Sequence, residues 1–195
     1  MAFITTIPEE KADADLGPLY EKLRRQKGYV PNYLRAFSLH PAVYRAWEGL
    51  IGAVKETMDP RRFELVTLAA ARALKSSYCM LAHGAILAEK FFSPSSLTAV
   101  ARGLSGDGVT PAEAAMMRFA EKIVRDASSV TQEDVDALRG LGFTDAEIFD
   151  ITVAATTRCF FSKTLDALGA RADAAYTALP EPLRSVLTVG RPIEG

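Results

Sequence analysis

Helix-start signals recur along this chain, and they leave room for little besides an all-helical architecture. Thr110-Pro111-Ala112-Glu113 and Thr144-Asp145-Ala146-Glu147 each set a hydroxyl three residues ahead of a Glu. In that arrangement two side chains satisfy first-turn amides that no helical carbonyl can reach. Asp59-Pro60 and Ser93-Pro94 place a capping residue before a first-turn proline, whose missing N–H is not needed there. Thr131 opens a further helix, and glycines at 28, 103, 140, 142 and 169 mark breaks. Ala, Leu, Glu, Lys and Arg dominate the intervening runs, and no stretch alternates as a strand would. The pattern predicts helices near 10–27, 32–38, 41–57, 60–75, 77–91, 94–102, 111–127, 131–139 and 144–169.

The faces of these helices carry further information. Met116, Phe119, Ala120, Ile123 and Val124 form one apolar stripe, as expected of a helix with one side on a core. The segment 148–168 is apolar nearly all round, with Ile148, Phe149, Ile151, Val153, Phe160, Phe161 and Leu165, so a homo-oligomer that covers its outer side is expected. Arg158 and Lys163 are unexpected on such a helix, because charges there need partners across an interface or in a site. The prolines at 180, 182 and 192 read as a C-terminal arm, about 180–195, beyond a core of about 15–170 in a single domain, 1–195.

With 23 basic and 24 acidic side chains there is no cationic excess to suggest nucleic acid. No apolar run reaches the ~20 residues of a membrane span. The start, MAFITTIPEEKADADLG, lacks the features of a signal peptide, which predicts a cytoplasmic protein. Two cysteines, Cys79 and Cys159, and two histidines, His40 and His83, are too few for a disulfide framework or a metal site, so neither metal nor cofactor is expected.

One segment carries chemistry: Lys75-Ser76-Ser77-Tyr78-Cys79-Met80-Leu81-Ala82-His83. On a helix Cys79 and His83 stack on one face, about one turn apart. A thiol must lose its proton to act as a nucleophile, and an imidazole within reach can take it. Ser76 or Ser77 is a natural N-cap, which would put Cys79 in the first turn, where free amides favour an anion. A buried Cys beside a core His is the plainer alternative. Tyr78 could line a pocket or simply be a half-buried aromatic at the helix start. Trp47 with Tyr44 and Leu50 fits a packing stripe, and His40 before Pro41 has no motif partner.

The run from Glu64 through Ser76, Cys79 and His83 resembles the signature of the alkylhydroperoxidase D-like, carboxymuconolactone decarboxylase-like family, and within it the peroxidase-related proteins. The signature has a Glu, a Cys-x-x-Cys twelve residues on, and a His four after the second Cys. Here the register matches at Glu64, Cys79 and His83 and departs at Ser76. Gly28-Tyr29-Val30-Pro31-Asn32 and the run ending Leu165-Asp166-Ala167-Leu168-Gly169 resemble further segments of that family. The resemblance implies an all-helical, oligomeric alkylhydroperoxidase D-like bundle. It also implies a hydroperoxide substrate, attack by Cys79 to give a sulfenic acid, and a proton relay through His83 and Glu64. In the family a neighbouring Cys closes a disulfide that a dithiol carrier reduces. With Ser76 in that place, an external thiol reductant or Cys159 must serve. The relay also needs a break near Ser76, because in one straight helix Glu64 and Cys79 would lie about 22 Å apart. Two other functions compete: a lyase of the carboxymuconolactone decarboxylase kind, for which a cluster of Arg around His83 would argue, and a helical oligomer without turnover.

Overall fold

The innermost helix of the protein, α4 (Pro60–Ala73), has every residue from Phe63 to Ala71 buried. The computed structural model describes residues 2–195, which form ten α-helices and three short 3-10 turns, with no strand among the described residues. Around α4 lie α5 (Ser77–Lys90), α7 (Pro111–Asp126) and α9 (Asp145–Ala167). Outside these, α3 (Pro41–Thr57) packs on α9 and α6 (Pro94–Gly103) on α5. The short helices α2 (Asn32–Ala36) and α8 (Gln132–Gly140), with α1 (Gly17–Lys27), complete the outer layer.

The helix starts follow the capping chemistry. Thr110 and Glu113 form a full capping box on α7, and Thr144 and Glu147 form one on α9. Asp59 caps α4 through the Arg62 amide, and Ser93 caps α6 through the Ser96 amide. The buried helix is tied to its neighbours by charge: Arg61 to Glu113 at 2.6 Å, Arg72 to Glu121 at 2.7 Å and Arg62 to Glu147 at 2.7 Å. Glu113 and Glu121 are themselves buried, which is tolerable because each carboxylate is paired.

Two expectations are corrected. The helix expected over 10–27 is a 3-10 turn, Glu9–Lys11, followed by α1 from Gly17. Asp13 Oδ1 accepts from the amides of Asp15 and Leu16, and Pro18 cannot sit inside a helix that began at 10 without losing a hydrogen bond. The tail is not an arm. It forms α10 (Leu183–Leu187), which packs on α5 and α6 with Leu183 and Leu187 fully buried. Prolines interrupt the chain there but do not stop Leu183, Val186 and Leu187 from presenting an apolar strip at helical spacing. Leu187 fills the space over Gly84, where any Cβ would meet its methyls, and the Gly190 amide donates to Ser77 Oγ at 2.7 Å. The tail therefore braces the start of α5.

Candidate active site

Between α4 and α5 the backbone reverses within three residues. Lys75 is left-handed, with φ of 55°, and the helix end is closed by Lys75 N to Arg72 O at 3.0 Å and Ser76 N to Ala71 O at 3.0 Å. This is the usual way a helix ends in a sharp turn, with a Lys where Gly is more common. The reversal lays α5 against α4, so the long separation of a straight helix does not arise. Glu64 Oε2 lies 2.5 Å from His83 Nδ1.

Cys79 is the third residue of α5 and is only 2% exposed. From α9, Ser162 Oγ donates to its Sγ at 3.0 Å, and Arg158 Nη1 approaches at 3.6 Å. Cys79 and His83 share one wall of a cavity of about 270 Å³. Tyr33, Tyr44, Trp47, Phe63 and Phe161 supply its apolar walls, with Trp47 stacked on Phe161 at 4.0 Å between ring centres. The exposed Gln26 and Lys27 stand at its outer end, so the cavity reaches solvent. A larger cavity, about 480 Å³, lies near Tyr29, Asn32 and Asp173 and has neither Cys79 nor His83 in its walls, so it is not where the sulfur chemistry would occur.

The charges here are arranged unequally. Burial pushes the Glu64 carboxyl up, but His83, Lys55 and Arg158 outweigh that and hold it below the ordinary carboxylate range. Burial, then the Arg158 and Lys55 charges, push the His83 imidazole below its ordinary value, against the pull of Glu64. At neutral pH the pair is therefore an ionised Glu64 and a neutral His83 that donates Nδ1–H to it. This leaves Nε2 as a free base.

The remaining predicted residues fall as follows. Ser76 is the N-cap of α5 but makes no cap hydrogen bond; its hydroxyl is fully buried, and its contact with the Asp166 carboxyl lies outside hydrogen-bond geometry. Tyr78 is 3% exposed rather than half-buried. Its ring lines the cavity and its hydroxyl turns away to donate to Asp173 at 2.6 Å. His40 occupies the N-cap position of α3 without a capping hydrogen bond and is exposed, and Lys163 is exposed as well. Cys159 sits one residue past Arg158, outside the cavity walls. Reading from sequence missed Trp47, Phe161 and Ser162 as site residues. Trp47 fits a packing stripe by spacing, but Leu50 in that stripe is 51% exposed. For Ser162 a signal is present: it stands four residues after Arg158, so both polar groups share one face of α9.

The model of the carboxymuconolactone decarboxylase family matches residues 41–122. The matched segment contains Glu64, Cys79 and His83, while Arg158 and Ser162 reach the site from outside it. No protein of curated function matches the sequence. Among solved structures, an uncharacterized peroxidase-related protein from Ralstonia eutropha with an alkylhydroperoxidase AhpD core superposes with a TM-score of 0.81 at 24% identity, over 90% of this chain and 94% of that one. An uncharacterized peroxidase-related protein from Silicibacter sp. gives 0.72 at 20% identity, over 90% and 91% of the two chains. The debrominase Bmp8, in complex with 2,3,4-tribromopyrrole, gives 0.76 at 16% identity, over 94% and 100%. At these identities the likeness is one of fold, and the fold is alkylhydroperoxidase D-like.

Proposed function

We propose that the protein is a thiol-dependent peroxidase acting on organic hydroperoxides, with Cys79 as nucleophile and His83 and Glu64 as its proton relay. The observation that carries this is a cysteine and a neutral His with a free Nε2 on one cavity wall, with a buried ionised Glu bonded to the far side of that His. In the reaction His83 takes the thiol proton and the sulfur attacks the outer peroxide oxygen. The O–O bond breaks, and the proton passes from His83 to the leaving alkoxide. A thiol plus a hydroperoxide thus become a sulfenic acid plus an alcohol. Arg158 and Ser162 donate toward the sulfur, where negative charge develops. One external thiol then condenses with the sulfenic acid, releasing water. A second releases Cys79 and leaves as the disulfide. Peroxide consumption with several thiol donors, read beside mass spectrometry of Cys79 for one added oxygen, tests the assignment. No consumption and no oxygen on Cys79 would end it.

Ser76 stands where the family has a resolving cysteine. Ser76→Cys is expected to let Cys79 close a disulfide after peroxide treatment and to speed turnover with dithiol reductants, because residues three apart at a helix start can be bridged. A sulfenic acid that persists at Cys79, with no gain in rate, would contradict this.

A second reading, reductive dehalogenation, is favoured by the aromatic walls around a single cysteine and by the fold shared with a debrominase. Bromide release from a brominated pyrrole would identify it. The lyase alternative asks for several Arg around His83, but Arg158 is the one Arg in the cavity walls among the described residues, and its thiol-centred wall has no part in that chemistry.

Homo-oligomerisation belongs to the same proposal. Phe149 and Phe160 on α9 are 67% and 45% exposed, an unusual burden for a lone chain. Sedimentation at micromolar concentration is expected to give at least a dimer; monomer alone would refute it.

A further inference from the structure

We propose that the cavity selects substrates whose flat apolar body carries an anionic group, with Arg158 as the selecting residue. This rests on the cavity being the reaction site, but the binding it describes is independent of the sulfur chemistry. Arg158 is 3% exposed, and among the described residues no carboxylate lies within ion-pair distance of it. Among the described residues its one hydrogen bond runs to the Cys79 sulfur, and its Nε is buried without a partner. The ionised Glu64 acts on Arg158 only at a distance, without direct contact. A buried guanidinium with no direct ion-pair partner is costly, so a site that keeps one is suited to receive an anion.

The one carboxylate in the cavity walls among the described residues, Glu48, is paired with Lys22 at 2.8 Å. Glu64 lies behind His83, at 2.5 Å from its Nδ1, and is not part of the walls. Lys55, with Nζ 4.7 Å from the centre of the Phe63 ring, and Lys27 at the outer end have no ion-pair partner among the described residues. The surplus is positive, which draws anions inward.

The body of the ligand is specified by the same wall. The Arg158 guanidinium carbon lies 5.8 Å from the Trp47 ring centre and 5.5 Å from that of Phe161. A ring lying along these aromatic faces would carry its acidic substituent to the guanidinium. Trp47 Nε1 is a second buried donor with no partner. The class indicated is therefore an aromatic or similarly planar hydroperoxide, or other oxidant, that bears a carboxylate or comparable anion.

Trp47 is the single tryptophan of the chain, so its fluorescence reports occupancy directly. The full-length protein, without peroxide or thiol, is titrated with benzoate, with benzamide as the uncharged ring and with acetate as the charge without a ring. Benzoate is expected to saturate the signal with about tenfold or greater advantage over both, and to lose that advantage in high salt. Arg158→Gln is expected to remove the advantage and leave benzamide binding in place, and Arg158→Lys to restore part of it. Equal binding of benzoate and benzamide by the unmodified protein would overturn the proposal, and that comparison needs no variant to fold. So would benzoate binding that survives Arg158→Gln unchanged. Because no turnover is measured, either result is separate from a failure of the peroxidase reading.

Discussion

Cys79→Ser is expected to bring hydroperoxide consumption down to the uncatalysed background while the protein stays folded. The substitution is nearly isosteric, and its neighbours, Ser162 at 3.0 Å and Arg158 at 3.6 Å, can donate to a hydroxyl as readily as to sulfur. The site is therefore kept in shape and only the reacting atom changes. An alcohol is far harder to ionise than a thiol and cannot be carried to a sulfenic acid, so neither half of the cycle proceeds. Helical circular dichroism should match that of the unmodified protein. A variant that consumes peroxide at the original rate would show that Cys79 is a buried structural cysteine and that the chemistry lies elsewhere.

The second large effect is expected at Glu64. Glu64→Gln keeps an oxygen within reach of His83 Nδ1 but removes the charge that holds the tautomer, and a loss of roughly 10²–10⁴-fold in rate is expected if His83 is the base. The pH profile gives an independent readout. His83 must be neutral to act, and its environment places its titration below the ordinary 6.5, so the acid limb of the activity should lie below that pH. Glu64 opposes that lowering. Removing its charge lowers the imidazole further, and the limb should move to still lower pH. A structural role alone would reduce the amount of folded protein without shifting the limb. An unmoved limb with an unchanged rate would remove Glu64 from the relay.

The same groups fix how acid should act on stability. The unfolded His83 binds a proton on passing below 6.5 while the folded one does not, so its contribution is lost from that pH downward. Glu64 is lowered from 4.5, so its contribution is present above that value and disappears as pH falls through its folded titration.

How much of this was legible in the chain depends on the range of the interaction involved. Capping is local: Thr110 with Glu113 and Thr144 with Glu147 act across three residues, and those helices begin where the residues say. The stacking of Cys79 and His83 is a matter of helical pitch, legible for the same reason. The meeting of Glu64 with His83 was conditional on a chain reversal, and the left-handed Lys75 that makes it carries none of glycine's usual signal. The tail shows the limit of local reading from the other side. Its prolines say where a helix cannot run, but only the groove between α5 and α6 decides that Leu183 and Leu187 are buried rather than loose. The site's electrostatics are wholly tertiary. Arg158 stands 79 residues from Cys79, Trp47 and Phe161 are 114 apart, and no periodicity relates either pair. The capped helices and the shared face of Cys79 and His83 were legible in the chain, because they depend on neighbours within a turn. The cavity, its aromatic walls and its unmatched cation were decided by packing, because burial removes water from groups that the chain alone leaves solvated.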